Sequence, residues 1–213
     1  MPGGSGSVRR APALDTSVIA GIVLAAGLSR RMGRPKLLLE LRGSPVIRRT
    51  VETLLGAGLD DLVVVVGPAA DAIVQALSGL PVRFAVNPAP EAGQAGSVVT
   101  GLRTLPAGAT AALIALGDQP SLPAAVVPRL LEAFHSTGKP IAAPVYRDGL
   151  GNPVLFASSL FPELLALHGD RGARAIVEQD PARVAAVVFD IPMPRDLDTP
   201  EDYESLRATG EAV

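Results

Sequence analysis

Four fixed cations, Arg30, Arg31, Arg34 and Lys36, fall within seven residues, just after Leu24-Ala25-Ala26-Gly27. Small residues let backbone N–H groups approach anionic oxygens, and guanidinium or ammonium groups neutralise their charge. A triphosphate requires both. Neither common phosphate loop is present. The chain's Gly138-Lys139 pair is followed by Pro140, and Ala133 stands where a Walker loop needs glycine. Gly56-Ala57-Gly58 follows a helical segment and lacks the third glycine of a dinucleotide fingerprint. A plain strand-to-helix turn with solvated arginines is the competing account. The density of cations beside Ala-Ala-Gly favours phosphate.

The acids come from two further places. Gly117-Asp118-Gln119-Pro120 closes an apolar run, and Asp196-Leu197-Asp198-Thr199-Pro200-Glu201-Asp202 lies near the C-terminus. Asp118 has the composition of a turn aspartate, but a strand end on the ligand face also suits a metal ligand. In the second cluster, Asp198 or Thr199 can cap a helix that starts at Pro200. The chain has no cysteine and only two histidines, His135 and His168. Thiolate nucleophiles, disulfides and histidine-rich metal sites are therefore excluded. A metal would sit on oxygen, which selects Mg²⁺.

These groups need a scaffold, and the hydrophobic pattern supplies one. Apolar runs at 18–24, 62–66, 82–86 and 110–116 read as strands. Helical segments at 45–57, 69–77, 97–105 and 124–135 alternate with them. Ser44 is expected to cap the first helix, with Pro45 at its first position, and Ser97 reads as the cap of the third. Residues 37–41 and 141–145 read as extended. Beyond them, strands at 152–157 and 183–190 mix with helices at 159–167 and 173–179. The rhythm predicts a three-layer, Rossmann-like α/β fold with a mostly parallel, mixed sheet. Residues 17–208 read as a single domain between a disordered tail, 1–16, and a short C-terminal tail, 209–213. Ligands of such sheets sit at the carboxyl ends of the strands.

With 48% hydrophobic and 19% charged residues, the chain is globular rather than disordered. A net charge of −2 and 3% aromatics give no footing for nucleic acid. No apolar run is long enough for a membrane span, and a cytoplasmic location is expected.

The spacing G-x-S-x-R-M-G-x-P-K from Gly27 to Lys36, with Gly-Asp-Gln-Pro and D-x-D-T-P-E-D, resembles the MobA-like nucleotidyltransferases over about residues 18–208. Within that family it looks like the molybdenum cofactor cytidylyltransferase (MocA-like) branch. The resemblance implies a Mg²⁺-dependent transfer of CMP from CTP to the phosphate of molybdopterin, with release of pyrophosphate. It implies that Arg31, Lys36 and Asp118 are catalytic, and that Asp118 and Asp198 hold the metal. Leu24, Ala25, Ala26, Gly27, Arg31, Lys36, Gly93 and Ser97 would bind the nucleotide; for Ser97, capping is an equal account. Guanylyl relatives tend to have glycine at position 26, so Ala26 favours CTP over GTP.

Gly149-Leu150-Gly151-Asn152-Pro153 resembles the family's G-x-P-V-L-F element, with asparagine at 152 where relatives often have histidine. Gly169-Asp170-Arg171-Gly172-Ala173-Arg174 resembles G-D-x-G-A-R. Gly151, Asn152, Asp170 and Arg174 are thus candidates for a pterin-phosphate acceptor. A client molybdoenzyme or its maturation chaperone would be the protein partner. The alternatives are a GTP-type or other nucleotidyltransferase, and a nucleotide-binding oxidoreductase that reuses the fold.

Overall fold

The computed structural model describes residues 17–208; the expected tails, 1–16 and 209–213, lie outside them. The elements run in order β1 (Val18–Ala25), β2 (Glu40–Leu41), β3 (Ser44–Pro45), α1 (Val46–Leu55), β4 (Asp61–Val66), α2 (Ala70–Ala76), β5 (Arg83–Val86), α3 (Gln94–Thr104) and β6 (Ala109–Leu116). There follow α4 (Val126–Thr137), β7 (Ile141–Tyr146), β8 (Gly149–Leu150), β9 (Val154–Ala157), α5 (Phe161–Leu165), α6 (Arg174–Gln179), β10 (Val184–Val188) and α7 (Pro200–Ala208).

The main sheet has the order β10-β7-β9-β6-β1-β4-β5, with β8 paired to β7. β1 lies parallel to β4 and β6, β4 to β5, and β7 to β10. Only β9 and β8 run against their neighbours. The apolar runs are continuous because both faces of each central strand are covered. Along β4, Leu62, Val64 and Val66 enter one core and Val63 and Val65 the other. The same alternation puts Ala111, Leu113 and Ala115 of β6 with α1 and α4, and Ala112 and Ile114 with α3. This period of two is the pleat itself, and it yields the expected three layers.

Local departures have local causes. Ser44 does not cap α1: Ser44–Pro45 forms a two-residue ladder with β2, and Pro45 precedes the helix with no side-chain cap. The 37–41 segment opens as a 3₁₀ turn, Lys36–Leu38, rather than extended chain. α3 starts at Gln94, three residues before the expected cap, so Ser97 is a buried helical residue. Among the described residues no helix is long and apolar enough to cross a membrane.

Candidate active site

β1 and β6 are adjacent and end side by side. Gly117 makes the junction possible: its N–H donates to the Leu24 carbonyl at 3.0 Å. A Cβ there would lie 2.8 Å from Ile47 Cδ1 and 3.0 Å from that same carbonyl oxygen. Asp118 therefore leaves the sheet directly beside the loop that follows β1.

That loop is held by its own groups. Ser29, at φ +50°, accepts from Met32 N and Gly33 N through its carbonyl, both at 3.1 Å. Its hydroxyl accepts from Lys36 N at 3.2 Å. Met32 is buried in the core and anchors the loop's middle. Lys36 is thus delivered to a set position, while Arg31 stays exposed.

The C-terminal acids arrive by a strap across the end of β6. Leu197 is fully buried, and its N–H donates to the Asp118 carbonyl at 3.0 Å. The Gln119 amide, 2% exposed, donates to the Pro194 carbonyl at 3.2 Å and to Asp196 Oδ1 at 2.8 Å. The cap of α7 belongs to Thr199: its hydroxyl accepts from Asp202 N at 3.2 Å, while Asp202 Oδ2 accepts from Thr199 N at 2.8 Å. This reciprocal box leaves the Asp198 carboxylate free for other partners. The Thr199 hydroxyl and N–H hold the Asp202 carboxyl below its ordinary value.

One ammonium joins the three pieces. Lys36 Nζ donates to Asp118 Oδ2 at 2.5 Å and to Asp198 Oδ1 at 2.8 Å. The other oxygen of Asp198 accepts from Arg31 at 2.8 Å. Burial alone would lower the Lys36 pKa, but Asp118 first and Asp198 after it outweigh burial, so the net shift is upward. The Asp196 pKa is raised as well, which for an acid disfavours the charged form. Burial raises it and the Asp118 charge adds to the rise, against the hydrogen bond from Gln119. The Lys36 side chain is 13% exposed and Arg31 71%, so the first pairing is sheltered and the second is open to exchange with water or ligand.

The cleft around these groups has a volume of about 520 Å³. Leu24, Ala26, Gly27, Arg31, Lys36, Gly93, Ser97, Asp118, Asp170 and Asp198 of the expected site line it. Arg30, Glu91, Gln94 and Asp196 line it as well. Ala25 faces the neighbouring cavity behind the loop. Ser97 serves the scaffold: its hydroxyl accepts from Asn87 Nδ2 at 3.0 Å, tying the end of β5 to α3. Asp170 reaches the cleft because Gly169 packs on Gly93 and accepts from Ala95 N at 3.1 Å. Gly151, Asn152 and Arg174 stand outside the lining. Gly151 packs on the Tyr146 ring, whose hydroxyl donates to the Asn152 carbonyl at 3.0 Å, and Arg174 pairs with Glu178 at 2.8 Å on the surface.

The sequence pattern does not single out Gln119, Asp196 or Ser29 as site residues. Gln119 follows the expected ligand Asp118, Asp196 lies two residues before Asp198, and Ser29 lies inside the motif. Their roles depend on hydrogen bonds between distant segments, 77 positions apart for Gln119 and Asp196.

This cleft, with cations from the loop after β1 opposed to acids at the end of β6, fits phosphate-bound metal chemistry. A MobA-like NTP transferase domain matches residues 21–184. The chain belongs to that family. It is an enzyme, a MobA-like nucleotidyltransferase. Nicotine blue oxidoreductase of Paenarthrobacter nicotinovorans is 32% identical over 208 residues, covering 90% of this chain and 98% of that protein. Purine catabolism protein PucB of Bacillus subtilis (strain 168) is 33% identical over 201 residues, covering 89% and 96%. A crystal structure of Rv0371C from Mycobacterium tuberculosis H37Rv, a complex with manganese, is 32% identical with a TM-score of 0.80, covering 91% of this chain and 100% of that one. The Rv0371C structure thus shares this chain's α/β fold along nearly its whole length.

Proposed function

We propose that this chain, one domain over residues 17–208, transfers CMP from CTP to the phosphate of molybdopterin and releases pyrophosphate. The observation that carries the reading is the single cleft in which Arg31 and Lys36 meet Asp118 and Asp198. Asp118 and Asp198 would hold Mg²⁺; the Rv0371C relative, itself a complex with manganese, supports the use of a divalent ion.

The donor set suits that ion. Two hard carboxylates already point one oxygen each at a common cation, the Lys36 ammonium. Among the described residues no three acids or histidines converge as a closed metal cage. An open two-carboxylate site, completed by water and phosphate oxygens, is how proteins usually bind Mg²⁺. When bound, the ion supplies charge neutralisation and alignment of phosphate oxygens.

The protein's own groups do the rest by position and charge. Gly27 and its neighbours present a small-residue face to the triphosphate. Arg31 and Lys36 neutralise the negative charge that builds as the α-phosphorus changes partners. The acceptor phosphate supplies the nucleophile, so the protein needs none. Ala26, Gly93 and Asp170 all line the cleft; Ala26 and Gly93 would bound the space for the base, and Asp170 would face the acceptor. The enzyme would act in the cytoplasm and pass its product to a client molybdoenzyme or that enzyme's chaperone.

The test titrates CTP, GTP and ATP with Mg²⁺, with and without molybdopterin, and measures pyrophosphate. Release that requires both CTP and molybdopterin is expected. Release with GTP, or with another acceptor, moves the chain to a different branch. A second reading is favoured by one observation, the 32% identical relative named an oxidoreductase. Oxidation of NAD(P)H by the purified protein would support it, since fold does not fix chemistry.

A further inference from the structure

Asp118 and Asp198 already share a cation, and it belongs to the protein. Lys36 Nζ sits 2.5 Å from one carboxylate and 2.8 Å from the other, and Arg31 takes the remaining oxygen of Asp198. The ammonium is sheltered and its position is braced by the Ser29 hydroxyl on Lys36 N. The acids and cations that a metal–triphosphate needs are therefore spent on one another.

We infer that Lys36 acts as a resident plug of the metal site, so that divalent ion and triphosphate enter as an exchange. This rests on the reading that Asp118 and Asp198 hold the metal. The two positive groups compete for the same two oxygens, and a divalent ion cannot settle between the carboxylates while the ammonium bridges them. A metal arriving alone must displace Lys36 and leave a sheltered ammonium, 13% exposed, without its two anions, which is unfavourable. A triphosphate arriving alone must draw Lys36 and Arg31 away and leave Asp118 and Asp198 facing each other uncompensated. Arriving together, each ligand accepts the partner that the other releases: the phosphates take Lys36 and Arg31, and the metal takes Asp118 and Asp198. Positive coupling between metal and nucleotide follows, and by linkage it is the same in both directions.

The experiment uses Mn²⁺ alone as probe, with bound metal read by water proton relaxation on the full chain. Wild-type protein is compared with Lys36→Met and Lys36→Gln, two neutral side chains of similar length. Each removes the plug and leaves both carboxylates, and circular dichroism checks the fold. Both variants are expected to bind Mn²⁺ without nucleotide at least about tenfold more tightly than wild type, within the usual range of site coupling. Adding Asp118→Asn to Lys36→Met should abolish the gain. Wild type should bind Mn²⁺ tightly once CTP is present, whereas the variants should gain little from CTP.

If wild type binds Mn²⁺ tightly only with CTP and neither variant binds the bare ion better, the plug is wrong and the metal assignment stands. A gain that survives Asp118→Asn overturns the plug as well. If wild type holds no Mn²⁺ with CTP, GTP or ATP, the metal assignment itself fails, and the plug fails with it.

Discussion

Replacing Gly93 by alanine tests how the cleft is closed on its nucleotide side. Gly93 has φ +107° and ψ 175°, a region open essentially to glycine alone. A Cβ there would fall on the carbonyl carbon and oxygen of Gly169 and lie 2.7 Å from Asp170 N. These are backbone atoms, so no side chain can swing away. The unfavourable backbone costs about 1–3 kcal/mol, and overpacking about 1–3 kcal/mol more. Gly93→Ala should therefore lose about 2–6 kcal/mol of stability, partly by breaking the bond from Ala95 N to the Gly169 carbonyl. Gly58→Ala is the control. It also sits at positive φ, +85°, but a Cβ there meets nothing within 4 Å, so only about 1–2 kcal/mol is expected. Urea unfolding of both variants separates strain from collision. Because Gly93 and Asp170 both line the cleft, nucleotide affinity should fall in Gly93→Ala and hold in Gly58→Ala. Equal urea midpoints for the two would refute the claim that the Gly93–Gly169 contact is tight.

Four further outcomes are expected. Asp118→Asn should keep the fold and lose nearly all turnover, measured as pyrophosphate release, because the amide cannot anchor a divalent ion; activity within a few-fold of wild type would end the metal assignment. Arg31→Ala and Lys36→Ala should lose much of their rate in kcat, whereas Arg34→Ala should stay near wild type, since Arg34 lies over the Tyr203 ring at 5.6 Å rather than in the cleft. Ala26→Gly should relax a preference for CTP over GTP by about tenfold to a hundredfold in kcat/KM, the range one methyl-sized group supports; a wild-type preference for GTP would point to the guanylyl branch. Asp61 is held below the ordinary carboxyl value of 3.8 chiefly by its hydrogen bond from Arg83. A depressed folded-state pKa stabilises above the unfolded value and is lost as pH falls through the folded one. Asp61→Asn should therefore cost up to about 1 kcal/mol near pH 7, the pair being partly exposed, and the difference in urea midpoint should shrink as pH drops below 3.8.

Sequence alone determined the layers of this protein. A strand buried on both faces must be apolar at every position, so the unbroken run from Leu62 to Val66 announces a parallel sheet without any partner in view. The phosphate loop was equally legible, because its small residues and cations are consecutive. Caps were less so. Ser44 and Ser97 have the right type for a helix start, yet a β2–β3 ladder claims one and the Asn87 side chain the other. Such competition between local and distant partners is invisible in one dimension. Tertiary structure alone decided which acids meet which cations. Lys36 lies 82 positions from Asp118 and 162 from Asp198, and only the adjacency of β1 to β6 and the buried anchor Leu197 bring them within hydrogen-bond reach. It also separated Asp198 from the helix cap by giving that task to Thr199. It kept Arg174 out of the cleft: this guanidinium, four residues before Glu178, finds its counter-charge on the surface of its own helix.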